Sequence, residues 1–99
     1  MQEKRRHARK EVSVPVSFCE ESGPMVEGMC LDLSLGGMAI QTPQPAPFGA
    51  TVVVHMPLKG LQGGTLRGVV RWTKDTMMGV QFEMIGARET HALDAMLRE

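Results

Sequence analysis

Strict alternation of apolar and polar residues, broken by short turn signals, constrains this chain more than any other feature. From Glu11 to Phe18, Val12, Val14, Val16 and Phe18 fall on one face, with Glu11, Ser13 and Ser17 on the other. A period of two sustained over that stretch predicts a half-buried strand rather than a helix. Pro15 sits on the polar side of the run and removes one ladder donor, which favours a strand edge or a bulge there. Glu20-Glu21-Ser22-Gly23-Pro24 is turn chemistry, so a hairpin is expected.

The same reading carries along the chain. A second strand is expected from Met25 to Leu35, with Met29, Leu31, Leu33 and Leu35 facing the core and Cys30, Asp32 and Ser34 facing away. Gly36-Gly37 permits a sharp bend into a third strand, Met38 to Thr42. Pro43, Pro45 and Pro47 stiffen the connection that follows. Thr51 to Met56 is the fourth strand, and its Val52-Val53-Val54 run suggests burial on both sides. Lys59 to Gly64 reads as a turn. Thr65 to Thr73 and Met77 to Met84 complete the set, joined at Lys74-Asp75-Thr76. After Gly86 the period changes: Leu93, Met96 and Leu97 stand at i, i+3 and i+4, the mark of a short amphipathic helix packed over a barrel opening. The expectation is an all-β fold, a small six-stranded antiparallel β-barrel with a short C-terminal α-helix. Closure removes the exposed edges such a sheet would otherwise carry.

At 99 residues the chain has room for one core. No apolar run approaches the ~18 residues of a membrane span, and no secretory signal is visible, so cytoplasmic residence without membrane insertion is the default expectation. Cys19 and Cys30 read as free thiols. The cysteines and His7, His55 and His91 have no metal-ligand spacing, so no metal site is expected. The nine methionines read as flexible core filling. No Ser-His-Asp set, paired catalytic carboxylates or phosphate loop is visible, and an enzyme is not expected.

Charge is unevenly placed. Net charge is zero, yet residues 1–10 hold Lys4, Arg5, Arg6, Arg9 and Lys10 against Glu3, a balance of +4. The rest carries six Lys/Arg and ten Asp/Glu, a balance of −4. The division expected is a basic arm over residues 1–10 and a barrel over 11–99. Such an arm can bind anions or fold back on its own acidic body, and composition does not choose. Within it Arg5 and Arg9 form R-x-x-x-R, and Asp32, Ser34 and Gly37 form D-x-S-x-x-G further on. Guanidinium forks grip phosphate oxygens or a guanine acceptor edge; a carboxylate accepts from guanine N–H groups, and a hydroxyl bonds either partner.

Both motifs in this order resemble the PilZ domain, from about Arg5 to about Met84, and Met78-Gly79-Val80-Gln81-Phe82 is similar to that family's G-V-x-F ending. The resemblance implies a six-stranded barrel and a bacterial receptor for the second messenger cyclic di-GMP, with no other cofactor. It implies that Arg5 and Arg9 clamp the ligand beside Asp32, Ser34 and Gly37. Arg6 adds charge, and Lys4, just before the first motif arginine, bears on ligand stoichiometry. The arm would order across the barrel on binding and signal to a downstream protein.

Simpler readings stand beside these. The arginines also fit a basic tail, Ser34 a turn former, and Gly37 a residue that permits the turn. Trp72 alternates with Leu66, Gly68 and Val70, which favours core packing, with guanine stacking as the other reading. A PilZ-like interaction module independent of nucleotide is the alternative function. Nonspecific nucleic-acid binding by the arm is the third, disfavoured because the four aromatics look placed for the core.

Overall fold

Alternating valines and short turns build the architecture directly. The computed structural model describes residues 9–58 and 64–98. These form β1 (Lys10–Glu20), β2 (Val26–Leu33), β3 (Gly37–Gln41), β4 (Thr51–His55), β5 (Thr65–Lys74), β6 (Met77–Phe82) and α1 (Ala87–Leu97). Every paired strand is antiparallel, and the sheet closes in the order β1-β2-β3-β6-β5-β4. The expected six-stranded barrel with one C-terminal helix is what the chain forms.

Turn chemistry sets the hairpins. Ser22 takes a left-handed φ of 68° between β1 and β2, and the Gly23 amide closes the turn on the Glu20 carbonyl at 2.9 Å. Asp75, at φ 55°, makes the two-residue link from β5 to β6; Asp tolerates this conformation better than most residues. At Pro15 only β2 lies alongside β1, because pairing with β4 begins at Ser17. The proline thus occupies a local edge, where a missing donor costs least.

The segment from Thr42 to Ala50 carries the chain from β3 to β4. The Thr42 hydroxyl donates to the Glu27 carbonyl at 2.9 Å and accepts the Gln44 amide at 3.2 Å. Ala46 is buried in the same core as Phe18, Val52, Val54, Leu66 and Val70. α1 joins that core through Ala92 and Leu93, with Met96 and Leu97 packed against it. Burying a leucine as fully as Leu93 contributes roughly 1.5–3 kcal/mol.

Of three bulges among the described residues, two shift which residues face inward. Between β2 and β3, Cys30 pairs with Ile40 but Asp32 pairs with Ala39, leaving Leu31 as an extra residue. The face flips there, as a bulge requires. Cys30 is therefore fully buried instead of facing out, while Met29 and Leu31 are only half-buried. Between Glu11 and Val14, β1 carries one residue more than β2. Between β5 and β6, Val70 pairs with Val80 and Trp72 with Gly79, leaving Arg71 as the extra residue. Trp72 is accordingly 42% exposed, not packed in the core.

Other apolar side chains also lie outside. Phe48, Met25 and Met84 are exposed, so neither the aromatics nor the methionines serve only as filling. β6 ends at Phe82, two residues before the expected Met84. Val53 is half-buried where its neighbours Val52 and Val54 are fully so, giving β4 one inner face. Cys19 and Cys30 are both free thiols. No described helix is long and apolar enough to cross a membrane.

Candidate functional site

The D-x-S-x-x-G segment folds into a tight turn because its serine binds its own backbone. β2 ends at Leu33, so Ser34 belongs to the turn and not to the strand face shared with Asp32. The Ser34 amide donates to the Gly37 carbonyl at 2.9 Å. Its hydroxyl accepts the Gly36 and Gly37 amides at 3.1 and 3.2 Å and donates to the Gly37 carbonyl at 3.4 Å. The side chain is buried and spent on local bonds, as in an ST turn. Gly37 meets a second constraint. A Cβ there would collide with the Val80 carbonyl oxygen on β6.

Beside this turn lies a cleft of about 590 Å³, within the ~300–1,000 Å³ span of small-molecule sites. Its floor is β3 and β6. One wall is the turn from Ser34 to Gly37, and the other carries Arg71 and Trp72 from the β5 bulge. Arg9 closes one side. Trp72 lies against Gly79, where a Cβ would strike its indole nitrogen. The missing side chain lets the ring rest on the strand.

Asp32 does not line the cleft; it holds Arg9. The Arg9 guanidinium donates to Asp32 Oδ2 at 2.7 Å, with the side chains 40% and 30% exposed. At that exposure the pair is worth little to stability, of order 0–1 kcal/mol. Asp32 Oδ1, by contrast, is inaccessible to water and accepts no hydrogen bond among the described residues. A buried acceptor left unpaired costs roughly 1–3 kcal/mol. Among the described residues the carboxylate thus retains an unused acceptor beside the arginine it tethers.

Of the residues singled out from sequence, Arg9, Ser34, Gly37 and Trp72 meet at one cleft, with Asp32 behind Arg9. Lys4, Arg5 and Arg6 lie outside the described residues. Arg71 and Gln81 were not singled out, although Arg71 donates through Nε to Gln81 Oε1 at 2.7 Å within the cleft. Gly79 was the available signal, since a glycine inside an alternating strand marks a bulge or a close approach. Cys30 is fully buried, and its thiol donates to the Asp32 carbonyl at 3.5 Å. Burial, helped by the nearby Asp32 charge, pushes its thiol up to about 11 from 9.0. Among the described residues no group of three or more His, Cys, Asp or Glu is arranged to hold a metal ion.

Comparison with known proteins fits this geometry. The family model for the PilZ domain matches residues 3–99. A cellulose synthase catalytic subunit [UDP-forming] from Xanthomonas axonopodis pv. citri is 30% identical over 89 residues. That match covers 88% of this chain but only 12% of the relative's length. Among solved structures, the PilZ domain of CeSA from a cellulose-synthesizing bacterium superposes with a TM-score of 0.75 at 19% identity, covering 92% of this chain and 95% of that one. The PilZ domain of YcgR from Escherichia coli, solved with c-di-GMP, gives 0.76 at 13% identity, covering 97% and 90%. The structural likenesses speak to the fold, and the family model spans nearly every residue. The chain belongs to the PilZ domain family.

Proposed function

We propose that this domain is a receptor for cyclic di-GMP that relays the bound state to a partner protein. The observation that carries the reading is the meeting of Arg9, Ser34 and Gly37 in one cleft, although 25 residues separate the first two. The E. coli YcgR domain solved with c-di-GMP shares the fold, which supports the choice of ligand. The ligand carries two phosphates and two guanines. Arg9 supplies a fork for either group. Asp32 Oδ1, which has no donor among the described residues, would take one from a guanine N–H or from Arg5. The Ser34 turn shapes the wall and brings the Gly36–Gly37 backbone within reach. Trp72, resting on Gly79 and open on one side, offers a stacking surface.

The role is that of a receptor and not an enzyme. The one hydroxyl at the motif, that of Ser34, is engaged by the backbone of its own turn. Signalling follows from competition. Ligand bound at Arg9 draws the guanidinium away from Asp32 and orders the arm of residues 1–10 across the cleft, changing the surface offered to the partner.

Isothermal titration with cyclic di-GMP tests this. The expected result is saturable binding that falls about 10- to 100-fold in R9A and in D32A, the cost of one charge-assisted contact. Wild-type protein that binds no cyclic di-GMP at high concentration overturns the reading and favours a nucleotide-independent interaction module. Amide NMR checks the arm separately: residues 4–10 equally mobile with and without saturating ligand would refute the switch.

A further inference from the structure

The cleft has a second arginine that no motif predicts. Arg71 is the bulged residue of β5, so it and Trp72 both turn outward and line the same wall. A regular strand would have sent one of them inside. The Arg71 guanidinium donates through Nε to Gln81 Oε1, and its terminal nitrogens have no hydrogen-bond or ion-pair partner among the described residues. The nearby Glu83 carboxylate is taken by Arg67 instead, at 3.4 Å. Arg71 is thus oriented by a neutral amide and keeps its full charge toward the cleft. Gln81 pairs with Gly37 on its other side, which ties this guanidinium to the strand backing the motif turn.

We infer that Arg71, positioned by Gln81, is a ligand-binding residue that reads the O6/N7 edge of the guanine stacked on Trp72. This rests on the cyclic di-GMP reading above. A guanidinium anchored through Nε still presents its two terminal nitrogens side by side, matching two neighbouring acceptors in one plane. Guanine offers that pair on its Hoogsteen edge, whereas adenine replaces O6 with a donor. An adjacent indole fixes the plane of the base, and the arginine then reads its edge. Phosphate is the competing acceptor, and the experiment separates the two.

The test is titration calorimetry on wild type, R71A, R71K and Q81L, with cyclic di-GMP and with its 7-deaza analogue, which lacks N7. Arg71 and Gln81 are exposed, and melting curves confirm that each variant folds. The inference expects R71A and R71K to lose about tenfold or more, because lysine keeps the charge but not the paired donors. Q81L loses less. The deaza ligand weakens binding to wild type but costs R71A nothing further, the signature of a shared contact. R71K at wild-type affinity, or an equal deaza penalty in wild type and R71A, overturns the inference in favour of a charge or phosphate role. R71A within twofold of wild type overturns it while the receptor reading stands. No binding by wild type removes both.

Discussion

In the proposed receptor, Asp32 sets ligand binding against stability. Its Oδ2 holds Arg9 in a half-exposed pair, and its Oδ1 is buried without a partner among the described residues. Replacing it with alanine removes a weak attraction and an unpaired acceptor together. D32A is therefore expected to stay within about 1 kcal/mol of wild type in urea denaturation while losing ligand affinity. A large loss of stability would mean that Oδ1 has a structural partner. Gly37 behaves differently, because G37A forces a methyl group into the Val80 carbonyl. Overpacking of this kind costs about 1–3 kcal/mol, read as a lower denaturation midpoint without ligand. Cys30 gives a pH signature. Its folded thiol titrates near 11, the unfolded one near 9.0. Below pH 9 both states hold the proton and the group contributes no pH dependence. From pH 9 to 11 the unfolded state ionises first, so stability falls. C30A is expected to flatten that fall relative to wild type, and equal slopes would show that the thiol is not the cause.

At the scale of elements, α1 lacks a basic residue in its last turn, where a cation would offset the helix dipole. Lys10 supplies one from outside, donating to the Met96 carbonyl at 3.1 Å from the first residue of β1. Its chain neighbour is Arg9, so the helix end and the cleft meet at adjacent residues. K10M is expected to weaken hydrogen-exchange protection in the last turn of α1 by up to a few fold, consistent with ~0.3–1 kcal/mol, leaving β3 and β6 unchanged. L93A removes a fully buried side chain and costs about 2–5 kcal/mol. Strand positions, turns and the helix could all be read from the sequence, because period two, Gly/Pro clusters and the 3.6 period each leave a local trace. The bulges could not. Val12 to Phe18 alternates in sequence as it does in space, whereas Leu31 and Arg71 look regular and become extra residues only when paired with β3 and β6. Those one-residue shifts are why Cys30 went in and Trp72 came out, while Ser34 left the face it was expected to share with Asp32 because β2 ends at Leu33. The motif residues were legible as a group, and the wall opposite them was not, because it exists only through β5–β6 register.

For the whole molecule, the cleft is built on three neighbouring strands of the barrel, β3, β6 and β5. β3 and β6 floor it, the β2–β3 turn and the β5 bulge wall it, and Arg9 borders it just before β1. β4 contributes no lining residue, yet it pairs with both β1 and β5 to close the sheet. Much of this pairing is non-local, so the barrel is expected to unfold as one cooperative unit. A ligand that binds only the folded state should then stabilise all of it. At 100 times its dissociation constant it adds about 2.7 kcal/mol. For a domain of this size each kcal/mol raises Tm by about 4–8 °C, so a rise of roughly 10–20 °C is expected. R9A at the same ligand concentration should show a smaller rise, because binding weakens while the barrel remains. Hydrogen exchange makes the sharper measurement. Amides of β4, which touch no part of the cleft, should gain protection from ligand alongside those of β3 and β6. Protection confined to the lining strands would show that β4 opens independently and that the closed barrel is not one folding unit.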